Sequence, residues 1–173
     1  EPYGASDWWP CKNELRDKID SIDVYVTTPK DNKAASNGKL ISIEKGIDSW
    51  THHWKHRYPI ATYLVAIAVT NYESYSDYLV EGVDTLEILN YVYPESLQDA
   101  KIGTPESAKM IHLYDSLFVK YPFFSEKYGH AQFGWGGGME HQTMSFVTNF
   151  GFELTAHELG HQWFGDLVTC KTW

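Results

Sequence analysis

The sequence predicts an α+β chain, with a strand-rich part to about residue 72 and then a strand–helix–strand–helix part over residues 73–173. Three observations carry this. Ile22, Val24 and Val26 alternate with polar neighbours, the period of a half-buried strand. Met110, Leu113, Tyr114, Leu117, Phe118 and Tyr121 recur at helical spacing. His157 and His161 stand four apart in His157-Glu158-Leu159-Gly160-His161, which puts both on one face of a helix.

The elements follow in order. After the first strand, Thr28 to Asn32 is a turn. Ser36-Asn37-Gly38 is a second, in which Gly38 supplies a positive φ. Leu40, Ile41 and Ile43 form another strand, Trp50 to Arg57 reads as a loop or short strand, and Tyr63 to Thr70 as a third strand. The polar, aromatic stretch Tyr72 to Tyr78 marks a domain boundary. Leu86 to Val92 is a strand closed by Pro94. Thr104-Pro105-Glu106 starts a helix, with Thr104 as its cap and Pro105 at its first position, and Pro122 ends it. His130 to Phe133 is a strand entering Gly134, Gly136, Gly137 and Gly138. Met139 to Thr148 continues as strand or loop, and a helix runs from about Leu154 to Leu167.

Composition narrows the class. Hydrophobic residues make up 43% and charged residues 21% of 173 positions, a globular balance. Aromatics reach 16%, which suits a large core first and a peptide-gripping groove second. A net charge of -9 argues against nucleic acid and against anionic membranes. Cys11 and Cys170 form no CxxC pair, so a zinc knuckle is not expected; a disulfide between them is allowed but not forced. The longest apolar run, Ala61 to Val69, is far shorter than the roughly 20 residues of a membrane span and reads as a buried strand. The chain opens on Glu1 and stops at Trp173 inside a patterned region, so it reads as a fragment of a longer protein.

His-Glu-x-x-His carries chemistry. Two neutral imidazoles one helical turn apart can hold one Zn²⁺, and Glu158 beside them can act as general base toward a metal-activated water. The bare motif also fits an ordinary surface helix with two histidines. Its flanks decide the matter: Gln162-Trp163-Phe164-Gly165-Asp166-Leu167-Val168-Thr169, then Lys171-Thr172-Trp173, and upstream Gly137-Gly138-Met139-Glu140-His141. With these the chain resembles the aminopeptidase N family of gluzincin peptidases, which also includes leukotriene hydrolases. That family's helix reads H-E-x-x-H-x-W-x-G-[ND]-x-V-T and its exopeptidase motif G-x-M-E-N. His141 stands here where the family has Asn. Trp8-Trp9-Pro10-Cys11, Ile22 to Val26, Pro29 and Ser36-Asn37-Gly38 resemble the end of the family's N-terminal β domain, and Tyr63 to Ala66 the strand leading out of it.

The resemblance implies residues 1–72 as the last part of an N-terminal β domain and 73–173 as the first part of a thermolysin-like zinc peptidase domain. It implies His157 and His161 as zinc ligands and Glu158 as general base. Glu140 would bind a peptide's free α-amine, a charge-assisted hydrogen bond that enforces release of single N-terminal residues. Gly137 and Gly138 would admit the substrate backbone, and Met139 would line the first side-chain pocket. Three protein ligands are usual for catalytic zinc, and the family's third is a Glu on the order of 18 residues beyond the second His, past Trp173. Asp166, about 140° round the helix from His161, is expected to face away. These 173 residues alone are therefore expected to hold zinc weakly and turn over little. A thermolysin-type endopeptidase and a non-catalytic peptide- or partner-binding remnant are the competing readings. His52, His53, His56, His112 and His130 lack ligand spacing and are expected to be structural or exposed, and Cys11 to be a small buried hydrophobe. A cut domain would also self-associate through uncovered core. Secreted and periplasmic family members lean the compartment outward, while cytosolic members keep it open.

Overall fold

The computed structural model describes residues 4–171. Its strands, numbered in chain order, are β1 (Ile22–Pro29), β2 (Lys33–Ser36), β3 (Lys39–Lys45), β4 (Ser49–His56), β5 (Ile67–Thr70), β6 (Glu73–Glu81), β7 (Asp84–Val92), β8 (Tyr128–Gln132), β9 (Gly138–Met139) and β10 (Ser145–Val147). Its α-helices are α1 (Ala5–Trp8), α2 (Leu97–Gly103), α3 (Glu106–Leu117) and α4 (Phe152–Gly160). Three sheets result: antiparallel β1-β4-β3, the pair β2-β5, and a mixed five-stranded sheet ordered β6-β7-β8-β10-β9. In the last, β8 runs parallel to both β7 and β10 while the outer pairs are antiparallel. Strands and helices in separate runs make this an α+β chain.

Of the two readings left open for Trp50 to Arg57, the strand holds: β4 runs from Ser49 through His56, and Arg57 lies beyond it. His52, Trp54 and His56 are buried while Thr51, His53 and Lys55 are less so, a period of two written partly in histidines. Tyr63 to Thr70 is not one strand. Thr62–Leu64 is a buried 3-10 turn and only Ile67–Thr70 pairs. The supposed boundary at Tyr72 to Tyr78 lies largely in β6, an edge strand in which only Leu79 is buried. The helix signal at Thr104 is shared between α2 and α3: Thr104 is the C-cap of α2, its N–H bonding Ala100 O, while Pro105 and not Thr104 is the N-cap of α3. The Thr104 hydroxyl donates to Asp77 Oδ2 at 2.6 Å. α3 stops at Leu117, before Pro122, and α4 starts and ends earlier than the motif suggested, at Phe152 and Gly160.

Two packed clusters position the later site. Leu86, Ile88, Met110, Ile111, Tyr121, Tyr128, Leu159 and Trp163 seal α3 and α4 against the mixed sheet. Trp54, Ala66, Tyr91, Met144 and Phe146 join the β1-β4-β3 side to that sheet, with Trp54 Nε1 donating to Ala34 O at 3.1 Å. Both cysteines are free thiols, Cys11 partly buried and Cys170 exposed. No helix among the described residues is long and apolar enough to cross a membrane. Four of the five histidines without ligand spacing are accounted for locally: His56 pairs with Glu126, His53 with Asp23, His130 with Asn90, and His112 lies beside Glu81.

Ile88 is fully enclosed, so Ile88→Ala should cost about 2–5 kcal/mol. Val83→Ala, at a fully exposed turn, should change stability by under about 0.5 kcal/mol. Urea unfolding of both variants measures the contrast, and equal losses would contradict this packing.

Candidate metal and peptide-binding site

α4 is held by one face. Leu159 and the following Trp163 are buried in the core, Thr155 and Glu158 are buried beside them, and His157 remains exposed. The helix opens at Gly151, whose N–H bonds the Asn149 side chain at 2.9 Å. His161 sits at the C-cap but keeps helical dihedrals (φ -63°, ψ -20°), so the one-turn relation to His157 survives the end of the helix.

The two imidazoles converge. Their Nε2 atoms lie 3.2 Å apart and the ring planes cross at 88°. His161 Nδ1 lies 2.9 Å from the Phe164 carbonyl. A carbonyl can only accept, so Nδ1 carries the proton and Nε2 presents its lone pair toward His157. Two imidazole nitrogens on one tetrahedral Zn²⁺ at ~2.0–2.1 Å stand about 3.3 Å apart. The observed separation fits that cation, and the Phe164 carbonyl supplies the outer contact that orients a metal-bound His.

Glu158 follows His157 but turns inward. It is 4% exposed and its Oε2 has no hydrogen-bond partner. Burial pushes its carboxyl up to about 7, the Glu140 charge adds to this, and His161 opposes it. The β9 strand passes directly over it: a Cβ on Gly138 would stand 2.4 Å from Glu158 Oε1. Only a residue without a side chain allows this approach. Before it, Gly137 adopts φ +83°, and its carbonyl receives both the backbone N–H and the hydroxyl of Thr148 at 3.1 Å.

Glu140 comes next on the same segment, half-buried. The Tyr63 hydroxyl donates to its Oε1 at 3.4 Å, and no cation among the described residues pairs with it. Met139 faces Phe146 across β10 and packs against two core clusters. His141, where the family has Asn, donates through Nδ1 to Leu64 O at 3.2 Å and stands edge-on to Phe146. Burial pulls its imidazole down to about 3, so it is neutral. It thereby ties the glycine strand to the turn at Thr62–Leu64.

Three contributors were not visible in the sequence reading. Gln162, next to His161, accepts the Thr143 N–H at 2.8 Å and donates to Glu140 O at 3.4 Å, so it joins the histidine segment to the Glu140 strand. Its position beside the motif was the only available signal. Tyr63 reaches Glu140 from 77 residues away, and nothing local announced it. Asp166 does not sit on the helix facing away; turns follow Gly160, and Asp166 is fully buried with neither oxygen hydrogen-bonded. Burial raises its carboxyl far above the usual range, and Glu140 adds to this. Even so, no group of three or more His, Cys, Asp or Glu among the described residues could hold a metal. Thr172 and Trp173, counted with the motif, lie outside the described residues.

A helix with converging imidazoles beside glycine-lined carboxylates is an arrangement to compare with zinc metallopeptidases, and the comparisons find similarity to them. Residues 139–173 match the Peptidase family M1 domain. The whole chain is similar to human endoplasmic reticulum aminopeptidase 1 (26% identity, 20% of that protein) and to aminopeptidase N of Haemonchus contortus (28%, 19%). The chain thus spans about a fifth of the length of these curated relatives. All of it superposes on part of a two-domain M1 zinc metallopeptidase solved with L-tryptophan, with a TM-score of 0.89, 25% identity and coverage of 40% of that chain. A Deinococcus radiodurans M1 zinc metallopeptidase solved with a Tyr-Ser-Ala substrate superposes at 0.84 with the same identity and coverage. The resemblance to zinc metallo-aminopeptidases therefore extends over the whole chain in sequence and fold, and the α+β architecture matches part of that two-domain enzyme.

The contact at Gly138 gives a test. Gly138→Ala should destabilise by about 1–3 kcal/mol through overpacking on Glu158. Gly136→Ala, with nothing within 4 Å, should be near neutral. Chemical denaturation measures both; a silent Gly138→Ala would mean that β9 does not lie on Glu158.

Proposed function

We propose that this chain carries the amine-binding and two-histidine part of a zinc aminopeptidase site that takes peptides with a free N-terminus. The observation that supports it most is the convergence of His157 Nε2 and His161 Nε2, with the latter's lone pair fixed by Nδ1 bonding. His157 and His161 would hold zinc. When bound, zinc supplies a Lewis-acidic centre that acidifies a water and polarises a scissile carbonyl. Glu158 takes the water's proton on its carboxylate and passes it to the leaving amine. Its unpartnered Oε2 and raised affinity for protons suit a group that must alternate between two states.

Glu140 binds the substrate ammonium. Its carboxylate has no cationic partner among the described residues, and Tyr63 steadies one oxygen. Gly137 and Gly138 leave room for the substrate backbone, and Met139 borders the first side-chain pocket. Catalytic zinc usually takes three protein ligands, and the described residues offer no group of three around this pair. Residues 1–72 act as the neighbouring β-domain segment and 73–173 as the opening of the peptidase domain. The Glu140 carboxylate favours exopeptidase over endopeptidase chemistry, since an internal peptide segment offers no ammonium there.

In the natural full-length polypeptide, Glu158→Gln should lower kcat by about 10²–10⁴. Glu140→Gln should raise KM for a free-amine peptide about tenfold or more. N-acetylation of the peptide should abolish cleavage. Steady-state assays on the paired substrates check this, and comparable cleavage of the acetylated peptide would replace the reading with an endopeptidase.

A further inference from the structure

A cavity of about 710 Å³ lies between the β3-β4 strands and β7, and it shares no residue with the zinc site. Its walls carry Lys33, Lys39, Lys45, Lys127 and His52 against one acid, Glu87, in a chain of net charge -9. None of the four lysines pairs with a carboxylate among the described residues. The described lysines and arginines that do, Lys12, Arg16, Lys55, Lys109 and Lys120, lie elsewhere. Glu87 instead receives the Ser76 hydroxyl at 2.6 Å.

Two of these groups are buried and underused. Lys127 is 1% exposed; its Nζ donates to Thr143 O at 2.8 Å and stands 5.5 Å from the Trp54 ring, so two of its three N–H groups have no acceptor among the described residues. His52 is 1% exposed, and neither ring nitrogen has a partner in full hydrogen-bond geometry among the described residues, the Val26 backbone being a weaker polar contact of its ring. Burial pulls the Lys127 ammonium down to about 7, and an anion seated beside it would restore its charge, since buried polar groups normally find partners. At the mouth, exposed Lys39 has no partner among the described residues, while Lys45 rests 4.4 Å over the Trp50 ring and Lys33 donates to Ser74 Oγ at 3.1 Å.

We propose that this cavity binds a multivalent oxyanion of the phosphate type. Dispersed ammonium groups without an arginine fork act as point charges, an arrangement that suits a compact divalent anion better than a planar carboxylate. Lys127 and His52 would supply donors at the floor, Lys39 and Lys45 neutralising charge at the rim. The volume accommodates either inorganic phosphate or the phosphate of an organic monoester.

Calorimetric titration of the 173-residue chain with inorganic phosphate and with phenyl phosphate, at fixed ionic strength, tests this. Saturable binding below ~10 mM is expected for at least one probe. Tighter binding of phenyl phosphate would identify an organic ester as the ligand type, and equal binding the free anion. The double variant Lys39→Gln/Lys45→Gln, at exposed positions that leave the core intact, should weaken binding about tenfold or more. Lys12→Gln/Lys109→Gln, with the same charge loss elsewhere, should change it less than about twofold. No saturable binding by either probe, or equal weakening in both double variants, would overturn the proposal.

Discussion

The side-chain amide of Gln162 holds the candidate site together. Its oxygen takes the Thr143 N–H and its nitrogen reaches the Glu140 carbonyl, so the residue beside His161 fixes the strand that bears Glu140. Thr143 adopts φ +66°, a left-handed conformation that costs a β-branched residue of order 1–3 kcal/mol and persists only where its surroundings impose it. Those surroundings are dense. Thr143 Oγ1 accepts the Gly38 N–H at 2.8 Å and its carbonyl accepts Lys127 Nζ. One junction thus binds the turn before β3, the approach to β8 and the histidine segment.

Around that junction the electrostatics are unbalanced in one direction. The Glu140 charge raises the proton affinity of both Glu158 and Asp166, the Glu158 charge raises that of Asp166, and Glu158 and Asp166 are buried. Lys18 offsets part of this at Asp166, donating to the Asp166 backbone carbonyl at 2.9 Å. Packed carboxylates of this kind favour whatever positive charge comes near, whether proton, ammonium or metal ion. The peptide reading uses that bias twice, at the imidazole pair and at Glu140.

The fold was legible where chemistry and periodicity coincide. His157 and His161 four apart, β1 with its alternation, and β7 closed by Pro94 all stand as read. It was illegible where polar residues are buried. β4 hides its alternation because His52 and His56 face inward, and β8, read only from His130 onward, starts two residues earlier at Tyr128 and is buried throughout although it contains His130 and Gln132. β6 was missed for the opposite reason: as an edge strand it buries only Leu79, so no hydrophobic period marks it. Thr104 carried a cap signature that a buried bond to Asp77 consumed. Within the site, the motif residues were plain, while Tyr63 and Gln162 act through tertiary contacts that no local pattern encodes.

The central claim is that His161 presents Nε2, not Nδ1, to a shared cation. Long-range ¹⁵N–¹H correlation of histidine side chains, before and after adding zinc, reads this directly. The account predicts Nδ1–H on His161 without metal, and with zinc a joint shift of the His157 and His161 Nε2 resonances while His161 Nδ1 keeps its proton. A proton on His161 Nε2 without metal, or zinc binding that moves Nδ1 or only one ring, would contradict it.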